Sequence, residues 1–488
     1  MSIALTFDSC VQRVHALLDG LPDHRRGTNT VYAIKDAVLG AFAMFFTQSP
    51  SFLAHQRRMQ DTNGQSNAQT LFGIGQTPTD PHIRNLLDPL APTDLFPLFS
   101  QIRMQLDQAG ALAAYRDIHD TLLVPLDGTQ HFLSQQIQCP KCSTRTLANG
   151  TTHYSHTVIP PMIVKPGLPH VIPLEPVFIE PQDGATKQDC EQTAAKRWIT
   201  QYGAHYAAAG VTLLGDDLSC HQPLCQLVLD QQLHFIFVCK PDSHVHLYEW
   251  LAFFAAATPL PTLTQRHWNG RFAELWTYRF VNNVPLRADA DALLVNWCEL
   301  VITHQETGEQ RYHNTFVTRY ELTMATVAAV VGAGRARWKT ENEGNNVLKN
   351  RGYHFEHNFG HGKHQLASTL LTLNLLAFLF HTALHLVDTR YQVLRAHLAA
   401  RQTFFNDVQT LTRYLCFTSW EHLLTFMMTQ LELSLHRRQP NLVHIWNCWL
   451  NLFFTDLREA IYEKHTVYDS YISRHVLDKW DYSDGLIR

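Results

Sequence analysis

The stretch "LASTLLTLNLLAFLFHTALHLV", residues 366–387, carries no Asp, Glu, Lys or Arg and must be hidden from water somewhere. Its length would span a bilayer, or it can run through the middle of a core thick enough to surround it. Asn374, His381 and His385 interrupt it, and polar groups at membrane depth are costly. The stretch therefore predicts a buried core helix and no membrane partner. A chain of 488 residues with 45% hydrophobic residues can supply the surrounding core, and is long enough for more than one domain.

The formal charge of -4 excludes a protein that coats nucleic acid by bulk positive charge, so any DNA contact has to come from local basic patches. Ten cysteines, and an opening "MSIALTFDSCVQRVHALLDG" without secretory character, fit a reducing cytoplasm. The 29 histidines are an unusual load, available as metal ligands or as extra positive charge below neutral pH.

Organisation follows from the hydrophobic period. Residues 1–115 read as short helices, from "TVYAIKDAVLGAFAMFFTQ" to "PTDPHIRNLLDPL", and suggest a separate helical module that could bind DNA ends. From Thr121 the texture turns to strand: "TLLVPLDGTQHFLS", "SHTVIPPMIV" and "PLEPVFI". A helix, "DCEQTAAKRWITQYGAHYAAAG", then leads into the strands "VTLLGDD" and "LHFIFVCKPD". Residues 116–242 thus read as β-β-β-α-β-β, a mixed α/β sheet. Residues 243–322 form a β-rich insertion, 323–390 return to helix, and 391–488 are helical.

Three acidic positions sit where a carboxylate is costly or useful. Asp127 lies inside an apolar strand-like run, Asp216 ends the strand "VTLLG" with Asp217 beside it, and "RARWKTENEG" places Glu341 and Glu343 behind three cations. A carboxylate in a sheet needs a partner. Carboxylates converging from two strands and a helix can hold two Mg²⁺ ions, with Mn²⁺ as a substitute, and such a pair suits phosphodiester displacement. The plainer reading makes Asp127 a turn residue before Gly128 and Asp216 a cap.

Four blocks in order carry a resemblance: "PLDGTQHF", "LLGDDLSCHQP", "FIFVCKPDSH" and "GRARWKTENEGNNVLKNRGYHFEHNFGHGK". Together they resemble the signature blocks of DDE-type transposases of bacterial insertion sequences, in the broad group of insertion-sequence family four, over roughly residues 121–385. The resemblance implies an RNase H-like core, residues 116–242 and 323–390, split by the β-rich insertion and flanked by helical regions. It implies that Asp127, Asp216 and Glu341, with Asp217 and Glu343 as alternatives, bind two Mg²⁺ ions. The activity implied is cleavage at an element's DNA ends and joining to target DNA, by a homodimer at the synaptic stage in the cytoplasm, at the nucleoid. Two rivals stand beside it: a nuclease that cuts without joining, and a DNA-binding protein that has lost catalysis.

The group's helix signature runs Y-x2-R-x3-E-x6-K. With Glu341 as its glutamate, Arg337 fills the arginine slot, the tyrosine slot falls on Gly334 and the lysine slot on Leu348, one place before Lys349. With Glu343 no slot is filled. On an α-helix the two glutamates would point about 200° apart, and Arg337 would share the face of Glu341. Arg337 is then expected to orient DNA phosphate or Glu341. Arg335, Arg337, Lys339, Lys349, Arg351 and Lys363 form the basic patch that a phosphate backbone would need.

Cysteine and histidine offer a second metal chemistry. Cys139-Pro-Lys-Cys142 followed by His153-Tyr-Ser-His156 has the ligand types and pair spacing of a structural zinc clip. Cys220, His221 and Cys225 read as core and loop residues. "YHFEHNFGHGKH" places His354, His357, His361 and His364 in a glycine-containing loop that is expected to touch DNA with Lys363 rather than to bind metal.

Overall fold

The computed structural model describes residues 5–435 apart from residues 22, 24, 26–29, 31, 60–65, 182–186 and 399, so the helical reading of 391–488 lies outside the described residues from 436 onward. Within that range the protein is a mixed α/β structure with a helical N-terminal region.

The N-terminal helices are α1 (Phe7–Leu18), α2 (Ile34–Phe46), α3 (Phe52–Met59), α4 (Asn67–Phe72), α5 (Asp80–Leu87) and α6 (Pro97–Gln108). After the sheet region come α7 (Lys187–Ala209), α8 (Gln222–Asp230), α9 (Val245–Ala257), α10 (Val327–Arg335) and α11 (Asn346–Asn350). The series closes with α12 (Leu366–Val387), α13 (Thr389–Leu398), α14 (Arg401–Tyr414) and α15 (Trp420–Gln430).

The apolar stretch is α12, and it is a core helix, buried from Leu366 to Leu384 at every residue except Ala367. Two of the polar residues that interrupt it are anchored by protein groups. Asn374 Nδ2 donates to Tyr353 O at 2.8 Å, and the His381 ring sits 2.7 Å from Tyr353 Oη and 3.0 Å from Phe46 O. A buried polar group with a fixed partner specifies packing that apolar contacts alone would leave loose.

The N-terminal helices are not a separate module: they share one core with α12 and with the helices after it. Phe42 packs edge-on against Phe380 of α12 at 5.5 Å, and Phe7 meets Phe46, Tyr391 and Trp420 at 5.5, 5.2 and 5.1 Å between ring centroids. Asp8 of α1 accepts from the backbone N–H groups of Trp420 and Glu421, capping α15, while Trp420 Nε1 donates to Leu71 O. Local apolar periodicity marks each helix but carries no information about partners hundreds of residues away.

The main sheet has seven strands. Its parallel part is β1 (Leu122–Pro125), β8 (Val211–Gly215) and β9 (His234–Val238), with Leu122 opposite Val211 and Thr212 opposite His234. Every residue of β1 and β8 is buried, as expected for parallel strands covered on both faces. The insertion supplies β10 (Thr262–Trp268), β11 (Ala273–Pro285), β12 (Leu294–His304) and β13 (Gln310–Thr318). These strands pair antiparallel in the order β13-β12-β11-β10, and β13 pairs with β9, so the insertion extends the same sheet.

The remaining strands are β2 (Thr129–Ser134), β3 (Ser143–Thr146), β4 (Thr152–Ile159), β5 (Met162–Ile163), β6 (Ile172–Pro173) and β7 (Val177–Phe178). β2, β3 and β7 all pair with β4 in a second sheet, and β5 pairs with β6. The run "TLLVPLDGTQHFLS" is therefore two strands in two sheets. β1 ends at Pro125, and Gly128 precedes β2. A Cβ on Gly128 would lie 2.8 Å from Glu191 Oε1, so a larger residue here would displace the Glu191 carboxylate.

Candidate active site

The strand ends define the site. Leu126 N donates to Leu214 O at 2.9 Å, continuing the β1–β8 pairing one residue past β1, and the next residue on one side is Asp127 while Asp216 follows β8 on the other. Asp127 and Asp216 line one small cleft at the C-terminal ends of these adjacent parallel strands, together with Gly128, Glu191, Gln192, Leu218 and Ser219. Open α/β sheets place ligands at such strand ends. Asp127 is not inside a strand, as its sequence setting suggested, but about one-third exposed at the junction between the two sheets, at 32%.

Asp216 and Asp217 separate cleanly. Asp216 Oδ1 accepts the Leu218 N–H at 3.0 Å, a cap on the following single turn, and the carboxylate stays at the cleft. Asp217 turns toward the end of β9, where Oδ1 accepts from Lys240 N at 2.6 Å, Oδ2 accepts from the Ser243 hydroxyl, and His244 Nε2 lies 3.6 Å away. Its oxygens hold a turn.

The segment with the two glutamates departs from the sequence reading. α10 stops at Arg335, and residues Thr340–Asn345 form a π-helical turn before α11, with the Asn346 N–H bonding to Glu341 O five residues back. The 100° spacing assumed for an α-helix does not apply across it. Gly344 permits the turn to press on β5, since a Cβ there would meet Met162 Sδ at 2.5 Å. Glu341 is exposed, accepts from Asn345 Nδ2 at 3.0 Å, and is not among the residues lining the Asp127–Asp216 cleft. Glu343 faces a different cleft, with His170, Arg351, Arg395 and Arg401.

Arg337 neither orients Glu341 nor stands free for phosphate: its Nη1 lies 2.7 Å from Asp127 Oδ2. The two slots where the helix signature departs are core positions. Gly334 packs so closely on β9 and β13 that a Cβ would lie 2.9 Å from Ile236 and Phe316 side chains, and Leu348 is fully buried. Neither tyrosine nor lysine fits there.

The proposed basic patch also divides. Arg335 stacks on Trp276 and Tyr312 at 4.6 and 4.7 Å, tying α10 to the extended sheet. Lys339 is buried and donates to Leu168 O at 2.8 Å, so it is not a surface DNA contact. Lys349 is partly buried and pairs with Glu356 at 3.3 Å. Arg351 and Lys363 are exposed.

Two residues were missed as site members. Glu191 enters from the fifth position of α7, and only the path of that helix beside the strand ends reveals it. His361 leaves the histidine-rich loop and joins Cys139, Cys142 and His156, while His153, the fourth ligand expected from pair spacing, is turned toward Gln135. Burial raises the Cys142 thiol to about 11 and lowers the His156 imidazole to about 4. A second group among the described residues, Cys220, Cys239 and His244, is wholly buried, with Cys225 and His221 outside it.

No protein-family model matches the chain, and no curated protein matches it significantly.

Proposed function

We propose that the protein is a metal-dependent DNA-cutting and DNA-joining enzyme of the DDE transposase kind, with an RNase H-like core formed by residues 116–242 and 323–390. The observation that carries the reading is the meeting of Asp127 and Asp216 in one cleft at the ends of adjacent parallel strands, with Arg337 reaching Asp127 from the segment that bears Glu341.

The donor set fits a hard divalent cation, because the cleft presents carboxylates and no sulfur or imidazole. Asp127 and Asp216 would hold the Mg²⁺ ions with Glu191, the further carboxylate at this cleft, while Glu341, which the resemblance implies as the third ligand, lies outside the cleft and would have to move toward Asp127 to join them. When bound, Mg²⁺ supplies activation of a water or 3′-hydroxyl and stabilisation of the leaving oxygen.

The chain's own groups do the rest. Asp216, fixed by its backbone cap, keeps one carboxylate edge in constant orientation. Arg337 holds Asp127 through one guanidinium nitrogen, and its planar fork would meet a phosphate of an arriving strand only on exchanging that carboxylate for it. Exposed Arg351 and Lys363, downstream of the same segment, extend the positive surface along which a backbone could track. Joining two ends calls for two copies of the chain in the synaptic assembly.

The test uses the full chain, Mg²⁺, labelled duplexes carrying the DNA that flanks the gene, and a target plasmid. Joined products that vanish in Asp127→Asn while duplex binding survives support the proposal. Cleavage without joined products reduces it to a nuclease, and Mg²⁺-independent behaviour unaffected by Asp127→Asn overturns it.

A further inference from the structure

The turn between β2 and β3 brings two cysteines together: Cys142 N donates to Cys139 O at 3.0 Å, closing the Cys-Pro-Lys-Cys turn with both side chains on one side. β4 runs beneath it and presents His156, opposite Phe132 of β2 in the ladder. The fourth member arrives from far along the chain, His361, on the loop between α11 and α12.

The distances are specific. Cys139 Sγ and Cys142 Sγ are 3.9 Å apart, His156 Nε2 is 3.5 Å from each sulfur, and His361 Nε2 is 3.4 Å from Cys142 Sγ. A disulfide would need about 2.05 Å between the sulfurs. A zinc ion about 2.3 Å from two sulfurs and about 2.0–2.1 Å from two nitrogens, arranged tetrahedrally, sets edges of roughly 3.8 Å for S–S and roughly 3.6 Å for S–N. All four potential ligand atoms lie within 4.8 Å of one another. Two thiolates would balance the ion's charge, which removes the main cost of burying a metal beside Phe132 and His131.

We infer that Cys139, Cys142, His156 and His361 form a structural zinc site that cross-links the hairpin after Asp127 to the loop after Glu341. Four protein ligands complete a tetrahedral shell and leave no open position for substrate, so the ion braces rather than reacts. Cys142 and His361 are 219 residues apart in sequence, and the site closes that loop. The far side of the loop is already fastened: the Asp88 carboxylate at the end of α5 accepts from the backbone N–H groups of Lys363, His364, Gln365 and Leu366, capping α12. Zinc on one side and Asp88 on the other hold residues 361–366 between the second sheet and the helical core. This inference stands independently of the chemistry assigned to the carboxylates.

The test measures metal in the full-length protein purified under reducing conditions and dialysed against EDTA. We expect close to one zinc per chain and an X-ray absorption spectrum with two sulfur and two nitrogen neighbours. His361→Ala should weaken zinc retention by more than the roughly 10–100-fold that loss of an outer partner costs, and His153→Ala should leave it unchanged. His361→Cys should keep the metal with a third sulfur in its shell, which decides the matter if the alanine variant fails to fold. Substoichiometric zinc in the wild-type protein, a Cys139–Cys142 disulfide, or zinc that survives His361→Ala and is lost in His153→Ala would overturn the assignment.

Discussion

Arg337 Nη1 and Asp127 Oδ2 meet at 2.7 Å across 210 residues of sequence, joining the end of β1 to the segment that follows α10. Both side chains are about one-third exposed, so the pair resembles a surface ion pair and contributes about 0.5–1 kcal/mol to stability at most. Arg337→Ala is therefore expected to shift the urea unfolding free energy by less than about 1 kcal/mol. If Arg337 meets the reacting phosphate, the same variant should lower strand joining at least tenfold, about 1.4 kcal/mol of transition-state stabilisation. Equal joining rates in Arg337→Ala and wild type would remove Arg337 from the chemistry.

Three glutamates compete for the third carboxylate. Glu341 fills the resemblance slot, Glu191 lines the cleft, and Glu343 faces another cleft 4.0 Å from the Lys339 ammonium. If Glu341 moves to the cleft as the third ligand, Glu341→Gln is expected to abolish Mg²⁺-dependent cleavage, and Glu343→Gln to leave it within about twofold because that carboxylate lines the second cleft beside Arg351 and Arg401. Glu191→Gln should reduce the rate without abolishing it. A cleavage assay across Mg²⁺ concentrations separates the three, and full activity in Glu341→Gln with none in Glu191→Gln would transfer the ligand role to α7.

What the sequence disclosed and withheld follows from the range of each interaction. Strand β8 and the acid after it were legible because "VTLLGDD" is a short apolar run ended by charge, a local pattern. The core nature of α12 was legible from Asn374, His381 and His385. The π-turn at Thr340–Asn345 was not, since Gly344 there packs against Met162 of β5, a contact with another element that local sequence does not record. His361 was hidden for the same reason: metal-ligand spacing rules see pairs close in sequence, so His153 looked as suitable as His156. Lys339 read as a DNA contact because charge patterns along a chain do not say which cations point inward.

Buried histidines set the acid sensitivity of the helical core. His55, beside Thr47, Ser49 and Arg58, is driven by burial to about 3, and His381, held by Tyr353 and Phe46 near Arg401 and Arg395, is driven well below its usual value by burial and those cations. Each ring is neutral when folded and takes up a proton more readily when unfolded. Stability is thus complete above the unfolded value of about 6.5 and falls as pH drops from there toward the folded value, by up to about 1.4 kcal/mol per pH unit per histidine. The urea midpoint should be level from pH 8 to 7 and decline steeply between pH 6 and 5. His55→Gln should flatten part of that decline, and an unchanged slope would discount His55.

The shared core around Phe46 carries the last expectation. Its ring meets Phe7 of α1, Phe72 of α4, His381 of α12 and Trp420 of α15 at centroid distances of 5.5, 6.1, 4.8 and 5.4 Å, so it joins the two ends of the described chain. It is fully buried, and Phe46→Ala should cost about 3–5 kcal/mol through lost contacts and the cavity left behind. The same geometry predicts that residues 1–115 expressed alone expose the apolar faces that α12 to α15 cover. That fragment should show no cooperative thermal transition and should bind a hydrophobic dye. A sharp unfolding transition in the isolated fragment would restore it as an independent module and make the Phe46 contacts an interface between two bodies rather than one core.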